Sequence, residues 1–474
     1  MTSKAVRRTL SLAVLTLALA LLLPAPDGWG APVSQQEAVA AADLWIAMEL
    51  NSGSAGGLAA KRSGKLGQLR KRQVLYLMGK GDLREQPPRK GAEVWAYVVK
   101  YRPGGFVVIS GDDRIEPVLA FDVQSQFIWH EPGAECVKVL LGRILGNRRG
   151  HLQATLALQG AAAVHPLWQM LRAKLEQEPS LAPVAFDRAA KAILVELETA
   201  SWSQGGYYND PVEYHNGGHD VPTGCTATAM AILMRYFRWP LTGHDSHSYT
   251  DNEGDIQYSH EVNFAERSYD WAAMPTTSLT AANRDVADLM YHCGVAVEMD
   301  YELEGSGAWP SASAMNDYFR YSGTAENTSD HESALQYCIR ACVPVIVSTE
   351  THTMLCDGYR DSPSPYYHIN AGHNGSSDGW YSLTNLPAGE DQTIDRSYPY
   401  GVPSNCVYVD ANWTGLQLGT LLLPFNNLSD GNAAVPARGH LWIKAGTYTG
   451  ADNVPITFST PMTIHSYRGA AVIR

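Results

Sequence analysis

The sequence has little cysteine and no excess of basic charge. Its 474 residues include only seven cysteines, an odd number too small for a disulfide scaffold, so at least one thiol stays free or pairs with another molecule. Lys and Arg number 36 against 48 Asp and Glu, and the net charge of −12 argues against nucleic acid as the main partner. Cys338 and Cys342 have no second pair at zinc-ligand spacing. We therefore expect no metal and no cofactor.

Long apolar runs are also absent beyond the first thirty residues, where a span would need roughly 18. Residues 1–30 themselves have a signal-peptide pattern: Lys4, Arg7 and Arg8 precede an apolar run, and small residues follow near Gly30. This pattern predicts a secreted or extracellular protein, with the periplasm as the alternative compartment and a retained N-terminal anchor as the alternative role of the segment.

Residues 31–195 are predicted to form an α+β unit. A helix is expected after Ser34, with Glu37 completing a capping box, and a hairpin is expected around Pro103 to Gly105. The chain from about 136 to 178 has a helical pattern. Because the unit contains no evident nucleophile, base or metal cluster, we interpret it as a propeptide, with a binding domain as the alternative.

Residues 196–408 are rich in Tyr, Trp, Gly, Asn and His, and their helical patterns precede their strand patterns. This order is typical of an α+β domain. Residues 409–474 contain short β runs separated by Gly, Pro and Asn turns, which predict a β-rich tail. The tail resembles the first coils of a right-handed parallel β-helix, and a small β appendage is the alternative.

Cys225 is the first candidate for chemistry, in the segment "DVPTGCTATAMAILMRYFRWP". It follows a Thr-Gly turn at the start of an apolar helix, and a helix N-terminus lowers the pKa of a thiol. The position alone is compatible with a buried filler, half of a disulfide, or a nucleophile.

A base and its orienting group follow in the order found in papain-type peptidases. His352 and Asn370 lie about 130 and 145 residues after Cys225, both in strand-like segments. His352 would form the ion pair with the thiolate, and Asn370 would orient the imidazole. Gln204, about 20 residues before the cysteine, could donate to an oxyanion together with the Cys225 main-chain N–H.

These motifs resemble a known family. The segments "WSQGGYYN", "GCTATAMAILMRYFRWP", "HTMLCDGY" and "HINAGHNGSSDGWYSL" are similar to the streptopain (streptococcal pyrogenic exotoxin B) family of secreted bacterial cysteine peptidases, and "WAYVVKYRPGGFVVISGDDRIEPVLAFD" resembles its propeptide. The resemblance implies a papain-like fold, a precursor activated partly by self-cleavage, and a preference for a hydrophobic residue second before the cut. It implies that Cys225 is the nucleophile, His352 the base and Gln204 the oxyanion donor, with Ser306, Gly307 and Ala308 in a loop near the substrate pocket.

The sequence departs from the family after Asn370. Ala371 and His373 stand where the family usually has two tryptophans, so Ala371 falls at a wall of the substrate cleft. The leading hypothesis is a cysteine endopeptidase zymogen that acts on proteins or peptides. Its own propeptide would fill the cleft and hold His352 or its neighbours out of place until a cut between about 180 and 200. The alternatives are a catalytically weakened relative that serves as a secreted binding or adhesion module, and a transglutaminase or amidase.

Overall fold

The structure is a computed structural model that describes most of the chain. The described residues are 31–51, 72–79, 82–89, 92–130, 134–159, 162–177, 194–215, 220–253, 256–303, 305–323, 331–383, 394–399 and 401–474. The signal-peptide pattern at 1–30 and the part of the expected cleavage region up to residue 193 lie outside them.

Helices and strands are mixed through the described residues, as the α+β prediction requires. The helices are α1 Gln35–Asn51, α2 Glu135–Gln159, α3 Pro166–Gln177, α4 Asp210–His215, α5 Cys225–Phe237, α6 Arg284–Ala296, α7 Ala312–Phe319, α8 His331–Arg340 and α9 Leu428–Ala434. The strands are β1 Arg72–Met78, β2 Leu83–Arg84, β3 Val94–Tyr101, β4 Phe106–Ser110, β5 Val118–Asp122, β6 Leu194–Glu196, β7 Ser246–Glu253, β8 Ile256–Asn263, β9 Tyr321–Ser322, β10 Val345–Ser348, β11 Thr353–Arg360, β12 Tyr366–Asn370, β13 Gly379–Tyr381, β14 Arg396–Tyr398, β15 Val402–Pro403, β16 Cys406–Val409, β17 Gly439–Tyr448 and β18 Met462–Ile473.

One sheet joins the N-terminal unit to the central unit. Its strands run in the order β14-β10-β11-β12-β13-β5-β4-β3-β1-β2, and β6 pairs with β11 beside this path. The junction is short, because β13 meets β5 only through the antiparallel pairs Trp380↔Phe121 and Tyr381↔Ala120. The main-chain hydrogen bonds of the junction therefore tie the two units edge to edge.

Local sequence signals explain the N-terminal unit. The Glu37 N–H donates to Ser34 Oγ at 3.2 Å, so α1 begins with the expected cap. The predicted hairpin forms between β3 and β4, with Lys100 opposite Phe106. Helix α1 packs on β3 and β4, and its Trp45 ring is completely buried against Phe121.

Helix α5 is the centre of the central unit. Almost every side chain after Cys225 is buried, and the helix packs against α6 and β11. The residue before it is Gly224, whose φ of 87° favours glycine, and a Cβ there would come within 2.6 Å of the Met299 side chain. The turn before Cys225 therefore requires the glycine that the sequence supplies.

The tail consists of three parallel strands in the order β16-β17-β18, the pairing direction of successive β-helix coils. The expected domain limits at 195 and 408 fall inside β6 and β16, and they stay predictions. In the part of the chain that the structure describes, every helix is too short or too polar to cross a membrane.

Candidate active site

Cys225 is the first residue of α5 and lies beside the start of β11. The Thr353 N–H donates to its Sγ at 3.3 Å. Two contacts hold the turn before it: the Thr223 N–H donates to the Gln204 carbonyl at 2.8 Å, and Ser306 Oγ donates to the Pro222 carbonyl at 2.5 Å. The helix thus fixes the thiol, and neighbouring loops fix the helix start.

The surroundings of Cys225 favour its thiolate. Burial raises the pKa of the thiol, but the positive charge and hydrogen bond of His352, together with hydrogen bonds from Thr353, lower it further than burial raises it, to about 7. A thiol with that pKa is partly ionised at neutral pH. Burial lowers the pKa of His352, yet the neighbouring Cys225 thiolate raises it well above its usual value. The two groups therefore stabilise each other as an ion pair.

His352 is buried and precedes β11, with its main chain held by Thr349. Its Nε2 lies 3.3 Å from the Ala371 carbonyl oxygen. A carbonyl can only accept a hydrogen bond, so Nε2 carries a proton and Nδ1 is the nitrogen left for Cys225. The His373 ring lies 5.4 Å from the His352 ring at an interplanar angle of 25°, so this histidine stacks where the family usually has a tryptophan.

Asn370 lies next to this arrangement but its side chain makes other contacts. Its Nδ2 donates to Thr199 Oγ1 at 3.0 Å and to the Ala200 carbonyl at 2.9 Å, while its Oδ1 accepts from the Gly372 N–H at 3.1 Å. In the described structure the imidazole is hydrogen-bonded by the main chain of the next residue, Ala371, in place of the expected Asn370 side chain.

The remaining sequence candidates surround Cys225. Thr226 Oγ1 donates to the Ala308 carbonyl at 2.6 Å, and the Gly307 N–H donates to the Asp300 carbonyl at 2.9 Å. The loop from Ser306 to Ala308 therefore lies against the first turn of α5. Gln204 is held next to the nucleophile turn through its main chain, and Ala371 is buried.

Sequence reasoning missed Cys136, which lies in the first turn of α2. This buried thiol contacts Met354, with Sγ 3.1 Å from Sδ, and it lies close enough to the His352 imidazole for each group to shift the pKa of the other. Burial raises the pKa of Cys136, so it is a neutral thiol at pH 7. The expectation that the propeptide holds His352 or its neighbours out of place stays a prediction; in the described structure the Cys225 thiolate and Cys136 both raise the pKa of His352. No sequence signal marked Cys136, because a helix-start cysteine in an apolar segment is usually a filler.

Other segments of the N-terminal unit hold the loop that follows Asn370. The Ser377 N–H donates to the Gln126 carbonyl at 2.8 Å, and the Ile128 N–H donates to Ser377 Oγ at 3.2 Å. The chain on either side of residues 131–133 therefore covers the imidazole side of the site. Among the described residues, no three His, Cys, Asp or Glu side chains are placed to hold a metal ion.

Comparison with protein families identifies both units. Residues 202–381 match the peptidase C10 family, and residues 30–142 match the Spi protease inhibitor family. The chain is a streptopain-family cysteine peptidase with a propeptide. Residues 30–142 thus form an inhibitory propeptide domain, the central unit contains the peptidase domain, and the enzyme is a cysteine endopeptidase.

Individual relatives cover the same regions. Streptopain of Streptococcus pyogenes serotype M28 (strain MGAS6180) is 25% identical over 320 residues, which cover 61% of this chain and 74% of that protein. The thiol protease/hemagglutinin PrtT of Porphyromonas gingivalis is 26% identical over 316 residues, covering 60% of this chain but 33% of its own length.

Two solved structures from Prevotella intermedia also match. A fragment of prointerpain A has a TM-score of 0.49 and 23% identity, covering 70% of this chain and 99% of that fragment. Active interpain A has a TM-score of 0.39 and 26% identity, covering 47% of this chain and all of that one.

Proposed function

We propose that the protein is a secreted endopeptidase in which Cys225 is the nucleophile, His352 the base and acid, and Gln204 an oxyanion donor. The single observation that carries this proposal is the place of Cys225 at the start of α5, where its Sγ accepts from the Thr353 N–H beside His352, which lowers the pKa of the thiol to about 7 despite burial. Secretion is supported by the signal-peptide pattern of residues 1–30.

The proposed reaction follows from these positions. The Cys225 thiolate attacks the scissile carbonyl, and the oxyanion that forms is stabilised by the Cys225 main-chain N–H and the Gln204 amide. The His352 imidazolium donates its Nδ1 proton to the leaving amine. Neutral His352 then takes a proton from a water molecule as that water attacks the thioester. Hydrolysis releases the acid product and restores the Cys225 thiolate and the His352 imidazolium.

Latency in this proposal comes from occupation of the site. The propeptide places Cys136 against His352 and covers the imidazole side, while the ion pair is already assembled. Removal of the propeptide would therefore open a site that is preformed. The segment from Leu194 must stay with the enzyme, since β6 pairs with β11 and Thr199 holds Asn370. We place the activating cut before Leu194.

Digestion of casein by the reduced, propeptide-trimmed protein tests the reaction class. We expect new peptides by mass spectrometry, no matching release of ammonia, and full inhibition by a thiol-reactive epoxysuccinyl peptide that adds its mass to the fragment containing Cys225. Ammonia without new peptides would instead indicate an amidase or transglutaminase. An intact substrate together with an unmodified Cys225 would favour a binding module, the reading that the Ala371 departure motivates.

Replacement of Cys136 tests how the propeptide silences the site. In the Cys136→Ala precursor the interaction of this thiol with His352 is lost. If it is worth as much as one net hydrogen bond, about 0.5–1.5 kcal/mol, self-processing becomes about two to ten times faster. The measurement is the decay of the full-length mass over time. Cys293→Ala, which removes another fully buried thiol, is the matched control and should process at the wild-type rate. Equal acceleration in both variants would point to general destabilisation.

A further inference from the structure

The orientation of His352 depends on a main-chain carbonyl rather than on the side chain expected from the sequence. Nε2 of His352 is bonded to the carbonyl of Ala371 at 3.3 Å. Both residues are buried in the precursor, so water has little access to this hydrogen bond there. The orientation of the His352 ring therefore depends on the contacts that fix the Ala371 peptide group.

Asp378 fixes that residue from the other side. Its Oδ1 accepts from the Ala371 N–H at 2.8 Å, and the carboxyl is buried at the start of β13. We propose that Asp378 is the positioning residue of His352 and acts through Ala371, so that the imidazole is oriented by an Asp378–Ala371–His352 chain. This inference rests on the function proposed for His352 and goes beyond it, because Asp378 touches neither substrate nor nucleophile.

The contacts of Asn370 explain why it does not take this role. Its side-chain Nδ2 donates to Thr199 and Ala200, which lie in the loop after β6, and its side-chain Oδ1 accepts from the Gly372 N–H. Thr199 Oγ1 in turn donates to Asp357 Oδ2 at 2.5 Å. Asn370 thus shapes the loop against the N-terminal segment of the mature enzyme, and Asp378 holds the loop against the imidazole.

Charged groups on three neighbouring strands face Asp378. Burial raises the pKa of Asp378 to about 7, His368 on β12 and the Ala371 N–H oppose that rise, and Asp357 on β11 and Asp122 on β5 add to it. Asp122 leaves with the propeptide. As pH falls through the pKa of Asp378, the carboxylate becomes a weaker, neutral acceptor for the Ala371 N–H.

Asp378→Ala, compared with wild type after propeptide removal, is the direct test. The rate at which iodoacetamide alkylates Cys225 across pH reports its pairing with His352, and peptide hydrolysis gives kcat and KM. We expect the alkylation midpoint to rise toward the ordinary thiol range of about 8.5. We also expect kcat to fall about 10- to 100-fold while KM stays within about twofold. An unchanged midpoint and kcat would overturn the proposal.

Two further variants keep the result interpretable. If Asp378→Ala does not fold, as judged by the loss of its thermal unfolding transition, the test passes to Asp378→Asn. The Asn amide oxygen still accepts the Ala371 N–H but cannot titrate, so the acid limb of the kcat–pH profile should move to lower pH. An unmoved acid limb would overturn the proposal. Asp410→Ala is the control, because it removes another buried carboxylate, one that accepts the Asn412 main-chain N–H in the tail. It should leave kcat and the pH midpoint of Cys225 alkylation unchanged. Wild-type hydrolysis by Cys225→Ala would instead refute the proposed function itself.

Discussion

The Cys225→Ala precursor is expected to keep its full mass under reducing conditions in which the wild-type precursor loses its propeptide. Alanine leaves the helix start and the His352 contacts with Ala371 in place but removes the sulfur that forms the acyl-enzyme. Loss of a covalent nucleophile typically lowers kcat by roughly 10⁴-fold or more, so any remaining self-processing should escape detection over hours. Intact-mass spectrometry over a time course measures both proteins directly.

A trace of an outside protease separates the remaining outcomes of this experiment. If trimmed wild type digests casein and trimmed Cys225→Ala does not, the nucleophile assignment stands even when self-cleavage is slow. Digestion by both would show that another residue carries the reaction. Failure of both would make the weakened relative the better account, because the substitutions at Ala371 and His373 would then have removed the activity.

The peptidase features that sequence could predict are local. A glycine turn before an apolar run predicts the start of α5 at Cys225, since the turn needs a positive φ and the run needs a buried helix. Helix α1 and the hairpin around Pro103 are predictable for a similar reason, because the cap and the turn that define them lie within a few residues of sequence. The hairpin of β7 and β8 was missed, because its segments are polar and aromatic without a clear apolar alternation.

The arrangement around His352 depends on contacts between distant segments, and sequence order could not supply it. Asn370 and Ala371 are neighbours, but the Asn370 side chain bonds Thr199 and Ala200, while the Ala371 carbonyl faces the imidazole. Cys136 reaches His352 although more than 200 residues separate them along the chain. The order of the candidate residues along the sequence thus indicated a cysteine-peptidase reaction, but it did not show which atoms orient the His352 imidazole.

A buried ion pair between the propeptide and the central unit could not be predicted from the sequence either. Arg360 on β11 pairs with Glu49 on α1 at 2.8 Å, and the two side chains are only 3% and 12% exposed. The guanidinium lies 5.1–6.0 Å from the ring centres of four aromatic residues, two from each unit: Trp45, Phe121, Tyr366 and Trp380. A buried charge that loses its partner destabilises strongly, so a single substitution in this pair should weaken the attachment of the propeptide.

Glu49→Gln is therefore expected to loosen the propeptide by a large factor. Breaking one side of a buried ion pair costs about 3–5 kcal/mol, which at the lower figure corresponds to an opening equilibrium on the order of 100-fold more favourable. Hydrogen exchange of the β5 amides, measured in a Cys225→Ala background to prevent self-cleavage, reports this opening directly. The exchange should accelerate by that factor in Glu49→Gln.

Arg143→Gln provides the matched comparison across the same interface. Arg143 pairs with Asp395 at 2.7 Å, but both side chains are about a quarter exposed, so the pair is worth less than about 1 kcal/mol and β5 exchange should change less than about fivefold. Equal acceleration of β5 amide exchange by the two substitutions would show that the burial of the Glu49–Arg360 pair adds nothing to the attachment of the propeptide. An unaltered rate in Glu49→Gln would mean that the short β5–β13 junction and the packing around Trp45 hold the propeptide without the ion pair.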